Sequence, residues 1–264
     1  MFDKACSINY ESLGDGPPVV LIHGMAGSLR QWDYLMPQLA AQGFSAYALD
    51  LQGHGDSPKP NNLAYYHIEV LYEQLKYWIE QLRLSKPPLL VGHSLGGYLS
   101  LIYAIRHPEN VHGLVLTDPL YSPKQLSPIF RFLGKRPRTG IRFLDNLPAW
   151  TYDMVFGWAE RIRRPIPPKM HHQLIHDFKR TTPLVLNIPQ TVFDLSPHLS
   201  SISQRTLVMW GSRDLTLSPA SFPKIVAALP EAEGFTFTGS GHIPHLTHAA
   251  TFNRQVLDFA SSMS

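Results

Sequence analysis

The sequence predicts an α/β fold: a mostly parallel central sheet flanked by helices, with a mainly helical insertion after a strand that ends near Thr117. Three observations support this. Short unbroken apolar runs such as Val19-Val20-Leu21-Ile22 and Leu89-Leu90-Val91 read as strands buried on both faces. Longer stretches between them carry apolar residues at helical spacing, the pattern of βαβ units. The alternation stops at Asp118 and resumes at Thr206.

Val19–Ile22 is the first clear buried strand, and Trp32, Leu35, Met36 and Leu39 then mark a helix that Gly43 is placed to stop. Ala46 to Leu49 is the next strand. Leu71, Leu75, Trp78, Ile79 and Leu82 form the stripe of a second helix, closed by Pro87-Pro88. The strand Leu89-Leu90-Val91 leads through a glycine-rich turn into a helical run from Leu99 to Ile105, and Val111 to Thr117 follows as a strand. The last part predicts a strand from Thr206 to Trp210, a helix from Phe222 to Leu229, a strand from Gly234 to Thr238 and a helix from Ala250 to Phe259. Residues 119–203 are proline-rich and lack strand-like runs, which divides the chain into a core of 1–118 with 204–264 and an inserted cap of 119–203.

A chain of 264 residues with 44% hydrophobic and 16% charged residues has the composition of a folded globular protein. The formal net charge is +3, without a dense Lys/Arg run, so nucleic acid is not an expected partner. The insertion is the basic part, with twelve Lys and Arg against five Asp and Glu. The single cysteine, Cys6, has no second thiol for an intramolecular disulfide or a paired metal motif. The start carries an early acid and no apolar stretch of signal-peptide length, and the longest apolar neighbourhood is broken by His93, Ser94 and glycines. A cytoplasmic protein without a membrane span is the expectation.

Gly92-His93-Ser94-Leu95-Gly96 is the segment that carries chemistry. A serine hydroxyl is a poor nucleophile at neutral pH unless it is exposed, next to a base and close to donors for an oxyanion. A sharp strand-to-helix turn supplies that exposure, and glycine two residues before and after the serine relieves the crowding such a turn creates. An apolar strand precedes this serine directly and a helical run follows it. The backbone N–H of Leu95 then lies at the positive end of a new helix.

His23-Gly24, Asp50-Leu51-Gln52-Gly53-His54-Gly55-Asp56-Ser57, Gly92 to Gly97, Gly211-Ser212-Arg213-Asp214 and Gly241-His242 occur in one order along the chain. In that order they resemble the α/β-hydrolase-fold family of esterases, lipases and C–C hydrolases, over about two thirds of the chain. The resemblance implies that Ser94 is the nucleophile, His242 the general base, and Asp214, on the turn after the strand ending at Trp210, the acid that orients the imidazole. Asp118, after the preceding strand, is the rival acid. The backbone N–H groups of Met25 and Leu95 are the implied oxyanion donors, and the Asp50 to Ser57 segment reads as a conformationally demanding loop in which Asp56 and Ser57 bond to backbone. Serine at 94 argues against the epoxide hydrolase and haloalkane dehalogenase branches, which use a carboxylate there.

The expected reaction is cleavage of a small-molecule carboxylic ester with an apolar acyl part, through an acyl-enzyme and without a cofactor. A metal site made from His242, His245 and His248 is the weaker reading of the histidine-rich end. Phe143, Trp150 and Trp158 are the candidate substrate-binding lid residues, with Tyr152 and Phe156 beside them. The same residues also fit hydrolysis of a C–C bond beside a ketone or of a lactone, acyl transfer, and, in a different class, a small-molecule receptor built on the fold.

Overall fold

A computed structural model describes residues 8–126 and 168–263. Seven strands form one sheet: β1 (Tyr10–Leu13), β2 (Pro18–Ile22), β3 (Ser45–Leu49), β4 (Leu89–His93), β5 (Gly113–Thr117), β6 (Thr206–Gly211) and β7 (Ala232–Phe237). Their order is β1-β3-β2-β4-β5-β6-β7, and every pairing is parallel except that of β1 with β3. The chain moves outward one way from β2 to β3 and the other way from β4 onward. This reversal opens a crevice at the carboxyl ends of β2 and β4, where α/β sheets bind ligands.

Alternate residues of the inner strands feed two cores. Val20, Ile22, Leu90, Leu114, Leu116 and Val208 face one side, packed with helices α2 (Ile68–Gln81) and α3 (Leu95–Arg106). Val19, Leu21, Leu89, Val91, Val115 and Leu207 face the other, packed with α1 (Met36–Ala41) and the last helix (Ala249–Ser261). The period-2 side-chain geometry of a strand explains this division, and burial on both faces explains the unbroken apolar runs.

Two local differences from the predicted elements have clear causes. Strand β1 precedes the first predicted one; all four of its residues are exposed, so its sequence lacks an apolar signature, and its place comes from backbone pairing with β3. The first predicted helix is split, with Leu29–Trp32 a 3-10 turn and α1 beginning only at Met36, because Pro37 is tolerated in a first turn and not further in. Gly43 stops α1 with φ +80°, a left-handed conformation suited to glycine.

Beyond 167, the described part of the insertion contains α4 (Pro168–Arg180), the short α5 (Ile188–Thr191) and 3-10 turns, with no strand among the described residues. Val185, Ile188, Val192, Leu195, Leu199 and Ile202 pack into the same core as α2 and α3. Helix α4 is tied to the loop after β2: buried Asp177 accepts hydrogen bonds from Ser28 Oγ at 2.7 Å and from Gln173 Nε2 at 2.8 Å. An Arg180–Asp56 ion pair adds a second tie, at the surface. Here the expectation for the Asp50 loop divides. Ser57 does bond to backbone, accepting from Asn9 N–H, whereas the Asp56 side chain pairs with Arg180. Asp50 organises the segment, accepting from the backbone N–H groups of Leu29 and Asp56 and from Asn9 Nδ2.

Four histidines are buried in this framework. Burial lowers the pKa of His23 and His93; it takes His54 down to about 3 with the help of neighbouring His23, and His245 to about 3 with the help of His242.

Two consequences can be measured. Asp177→Ala removes the acceptor of a buried hydroxyl and should lower unfolding free energy in urea by about 2 kcal/mol; an unchanged midpoint would mean that α4 is held by other contacts. In the unfolded chain these histidines bind protons below about pH 6.5, which the folded protein resists, at His54 and His245 down to about pH 3. Stability should therefore fall as pH drops from about 6.5 toward 3, by up to about 1.4 kcal/mol per pH unit for each of His54 and His245, with His23 and His93 acting in the same direction. His245 has no hydrogen-bond partner at either ring nitrogen and packs between His93 and Trp32. His245→Phe should flatten that acid limb by one histidine's share.

Candidate active site

The site is built from the loops at the carboxyl ends of the parallel strands. After β4 the chain turns at Ser94 with φ +51° and ψ −108°, strained for a residue other than glycine, and enters α3 directly. The turn is possible only without side chains at two neighbours. A Cβ on Gly92 would lie 2.5 Å from Gly96 O, and one on Gly96 would lie 2.1 Å from Ile22 O. The turn is held by Ser94 N–H donating to Thr117 O at 2.9 Å, and by Ser94 O accepting from Tyr98 and Leu120 N–H. Leu95 opens α3, where backbone N–H groups have no acceptor within the helix.

The loop after β2 lies against this turn. A Cβ on Gly24 would stand 2.5 Å from His93 Nδ1 and 3.3 Å from Ser94 Cβ, so glycine lets the main chain leading to Met25 approach the serine. Gly27 N–H to Gly24 O closes the turn that contains Met25, which is partly buried against the core. His23 Nδ1 meets Gly24 O at 2.7 Å, and its Nε2 accepts from Leu51 N–H at 3.0 Å. With both nitrogens engaged, His23 acts as a structural bracket.

Asp214 follows β6 and is buried. Its Oδ1 accepts from the N–H groups of Thr216 (2.7 Å) and Leu217 (3.0 Å), which aims Oδ2 at His242 Nδ1, 2.6 Å away. His242 Nε2 lies 3.0 Å from Ser94 Oγ. These contacts set the tautomer: Nδ1–H donates to the carboxylate, leaving Nε2 to accept from the hydroxyl. A Cβ on Gly211 would lie only 1.9 Å from Gly241 O, so this glycine permits the His242 loop to pass over the end of β6.

The structure thus brings Ser94, His242 and Asp214 into one hydrogen-bonded line, with the Met25 loop and the first turn of α3 alongside. The rival acid is also present. Asp118 is fully buried with φ +42°, and one oxygen or nitrogen from each of Asp118, Asp214 and His242 lies within 4.8 Å of the other two. The three histidines near the end diverge, since His242 faces Asp214, His245 packs on His93, and His248 Nδ1 meets Thr247 Oγ1. Phe143, Trp150 and Trp158 lie outside the described residues.

Two parts of the surroundings escape sequence reasoning. His93 Nε2 donates to the His242 carbonyl at 2.8 Å, joining the serine turn to the histidine loop; its position within Gly92–Gly96 was the available signal. Met170 and Leu174 of α4 pack with Ile243 and Leu246 and so cover the histidine loop, which only the helical spacing of two apolar residues in a polar helix hints at.

Similarity to known proteins agrees with this architecture. The sequence model described as alpha/beta hydrolase fold matches residues 17–192. A 2-hydroxy-6-oxononadienedioate/2-hydroxy-6-oxononatrienedioate hydrolase of Dechloromonas aromatica is 26% identical over 97% of this chain and 91% of its own length. The bifunctional epoxide hydrolase 2 of Rattus norvegicus is 29% identical over 56% of this chain, which spans about a quarter (25%) of that relative. Among solved structures, a thermophilic esterase from Thermogutta terrifontis superposes with a TM-score of 0.79 at 21% identity, covering 97% of this chain and 93% of that one. The enol-lactonase of Burkholderia xenovorans gives 0.78 at 23% identity, covering 96% of both chains. With the order of its strands, the loops that gather at their carboxyl ends and a family match across most of its length, the chain belongs to the α/β-hydrolase-fold family.

Proposed function

We propose that this chain is a serine hydrolase that cleaves carboxylic esters, with Ser94 as nucleophile, His242 as general base and Asp214 as its orienting acid. The observation that carries the reading is the bridging position of His242, 2.6 Å from Asp214 and 3.0 Å from Ser94 Oγ. Ser94 Oγ attacks the ester carbonyl as its proton passes to His242 Nε2. The carbonyl oxygen becomes an oxyanion held by the backbone N–H groups of Met25 and Leu95, each worth roughly 3 to 4 kcal/mol in the transition state by analogy with known oxyanion holes. The C–O bond to the alcohol then breaks, and His242 returns the proton to the leaving oxygen. Water, deprotonated by the same imidazole, attacks the acyl-enzyme, releasing the acid and restoring Ser94.

Residues 119–203 act as the cap in this reading. Met170, Leu174 and Ile243 supply an apolar wall next to His242, suited to an apolar acyl chain, with Phe143, Trp150 and Trp158 as further lid residues. A cytoplasmic location is part of the proposal; among the described residues no helix is long and apolar enough to cross a membrane.

A second reading draws on the near full-length match to the 2-hydroxy-6-oxononadienedioate hydrolase: water addition across a C–C bond beside a ketone, using the same serine and histidine. The epoxide hydrolase similarity does not extend to chemistry here, because a hydroxyl at 94 is not the carboxylate nucleophile expected of that branch.

Ser94→Ala should abolish labelling by a fluorophosphonate and lower kcat on a short p-nitrophenyl ester by about 10⁴-fold or more. Asp214→Asn should cost roughly 10³- to 10⁴-fold in kcat with KM little changed. Labelling that persists at a different residue in the alanine variant would refute the assignment. A panel of esters, a lactone and a vinylogous diketone decides between the two reactions: faster turnover of the diketone than of every ester would favour the second.

A further inference from the structure

Asp118 is a buried group beside the site that this mechanism leaves unused. Its Oδ1 accepts from Gly211 N–H at 2.9 Å, while Oδ2 is buried without a donor. A carboxyl oxygen of Asp118 lies within 4.8 Å of one of Asp214, whose two oxygens accept from three N–H donors, Thr216, Leu217 and His242, and keep room for one more. Two carboxyl oxygens facing one another are both acceptors, so neither satisfies the other unless a hydrogen lies between them. One proton resolves the orphan oxygen and the contact together. Asp214 has three N–H donors to stabilise an anion and Asp118 has one, which decides where the proton stays.

We propose that Asp118 is an undissociated carboxylic acid whose O–H donates to Asp214, making it a positioning residue for the Ser94–His242–Asp214 line; this role rests on the triad reading above. Burial first, and the neighbouring Asp214 second, hold the Asp118 carboxyl well above the usual carboxylate range. The arrangement puts one negative charge beside His242 instead of two. A second anion would favour the protonated imidazole, which cannot accept the proton of Ser94. Among the described residues, His93, with its ring 4.9 Å away, and His245 behind it also pack near His242, and burial disfavours a charge on both imidazoles. The left-handed backbone at Asp118, φ +42°, turns the chain out of β5 so that one carboxyl reaches both Gly211 N–H and Asp214.

The test reads the proton directly. In the whole protein labelled with ¹³C-aspartate, one carboxyl resonance should keep the undissociated shift from about pH 5 to 8, where ordinary aspartates are dissociated, and Asp118→Asn should remove it. The absence of any such resonance in the wild-type protein overturns the proposal, whether or not the variant folds. In kinetics, Asp118→Asn swaps one neutral donor for another. It should lower kcat by about threefold and move the acid limb of the kcat/KM profile by less than about 0.3 pH unit, whereas Asp118→Ala should lower kcat by about thirtyfold. A downward shift of the limb by about one unit or more in Asp118→Asn would mean that a negative charge had been removed, and would also overturn it. The resonance is a property of the resting protein and should persist in Ser94→Ala, so failure of the triad assignment is separable from failure of this one.

Discussion

At Gly96 the backbone passes so close to the end of β2 that a single methyl group would collide with Ile22 O, and the other features of the site depend on that approach. It seats the first turn of α3 beside the His23–Gly24 loop, so that this loop and the start of α3 meet at one serine. It also forces the left-handed conformation of Ser94, which thrusts the hydroxyl toward the loops instead of into the sheet. The strain is offset by the rigidity beneath it. Strands β2, β4 and β5 are buried on both faces, and Ser94 is pinned by backbone hydrogen bonds to Thr117, Tyr98 and Leu120.

The sequence made most of this framework legible because burial leaves a mark in composition. The parallel strands are fully apolar runs, and α2 carries its apolar stripe at the spacing expected of a helix packed on a sheet. Strand β1 left no such mark, because its side chains are exposed and only its main chain is used. The serine turn was readable since glycine at fixed offsets has a steric cause. The partnership of Asp118 and Asp214 was not: both acids could be named as candidates, but whether they exclude or accompany each other depends on distances between loops far apart in the chain. His93 was hidden for a similar reason, since a hydrogen bond to the backbone of residue 242 leaves no trace in local pattern.

Electrostatically, the site is kept sparse. Imidazoles at 23, 54, 93 and 245 crowd the ends of β2 and β4, yet burial disfavours a charge on every one of them. They act as planar hydrogen-bonding and packing groups: His23 brackets the loop after β2, His93 ties two loops together, and His245 fills an aromatic pocket with Trp32 and Phe252. His242 differs because a carboxylate with two backbone donors is aimed at one of its nitrogens and a hydroxyl lies at the other.

Helix α4 connects this centre to whatever covers it. One face meets Ile243 and Leu246 on the histidine loop, and Asp177 on the same helix holds Ser28 at the far end of the loop that contains Met25. A displacement of α4 would therefore disturb the proposed general base and a proposed oxyanion donor together, so in that reading cover and chemistry are not independent parts. Ser28 Oγ also accepts from Arg30 N–H, so its hydroxyl spans the 3-10 turn on one side and the α4 carboxylate on the other. Loss of the Ser28–Asp177 bond would leave a buried carboxyl and a buried hydroxyl each with one partner fewer, a cost that favours the observed arrangement. In the proposed enzyme, the closed helix both excludes water from the acyl group and holds the oxyanion loop in register, which makes substrate enclosure and transition-state stabilisation consequences of one set of contacts.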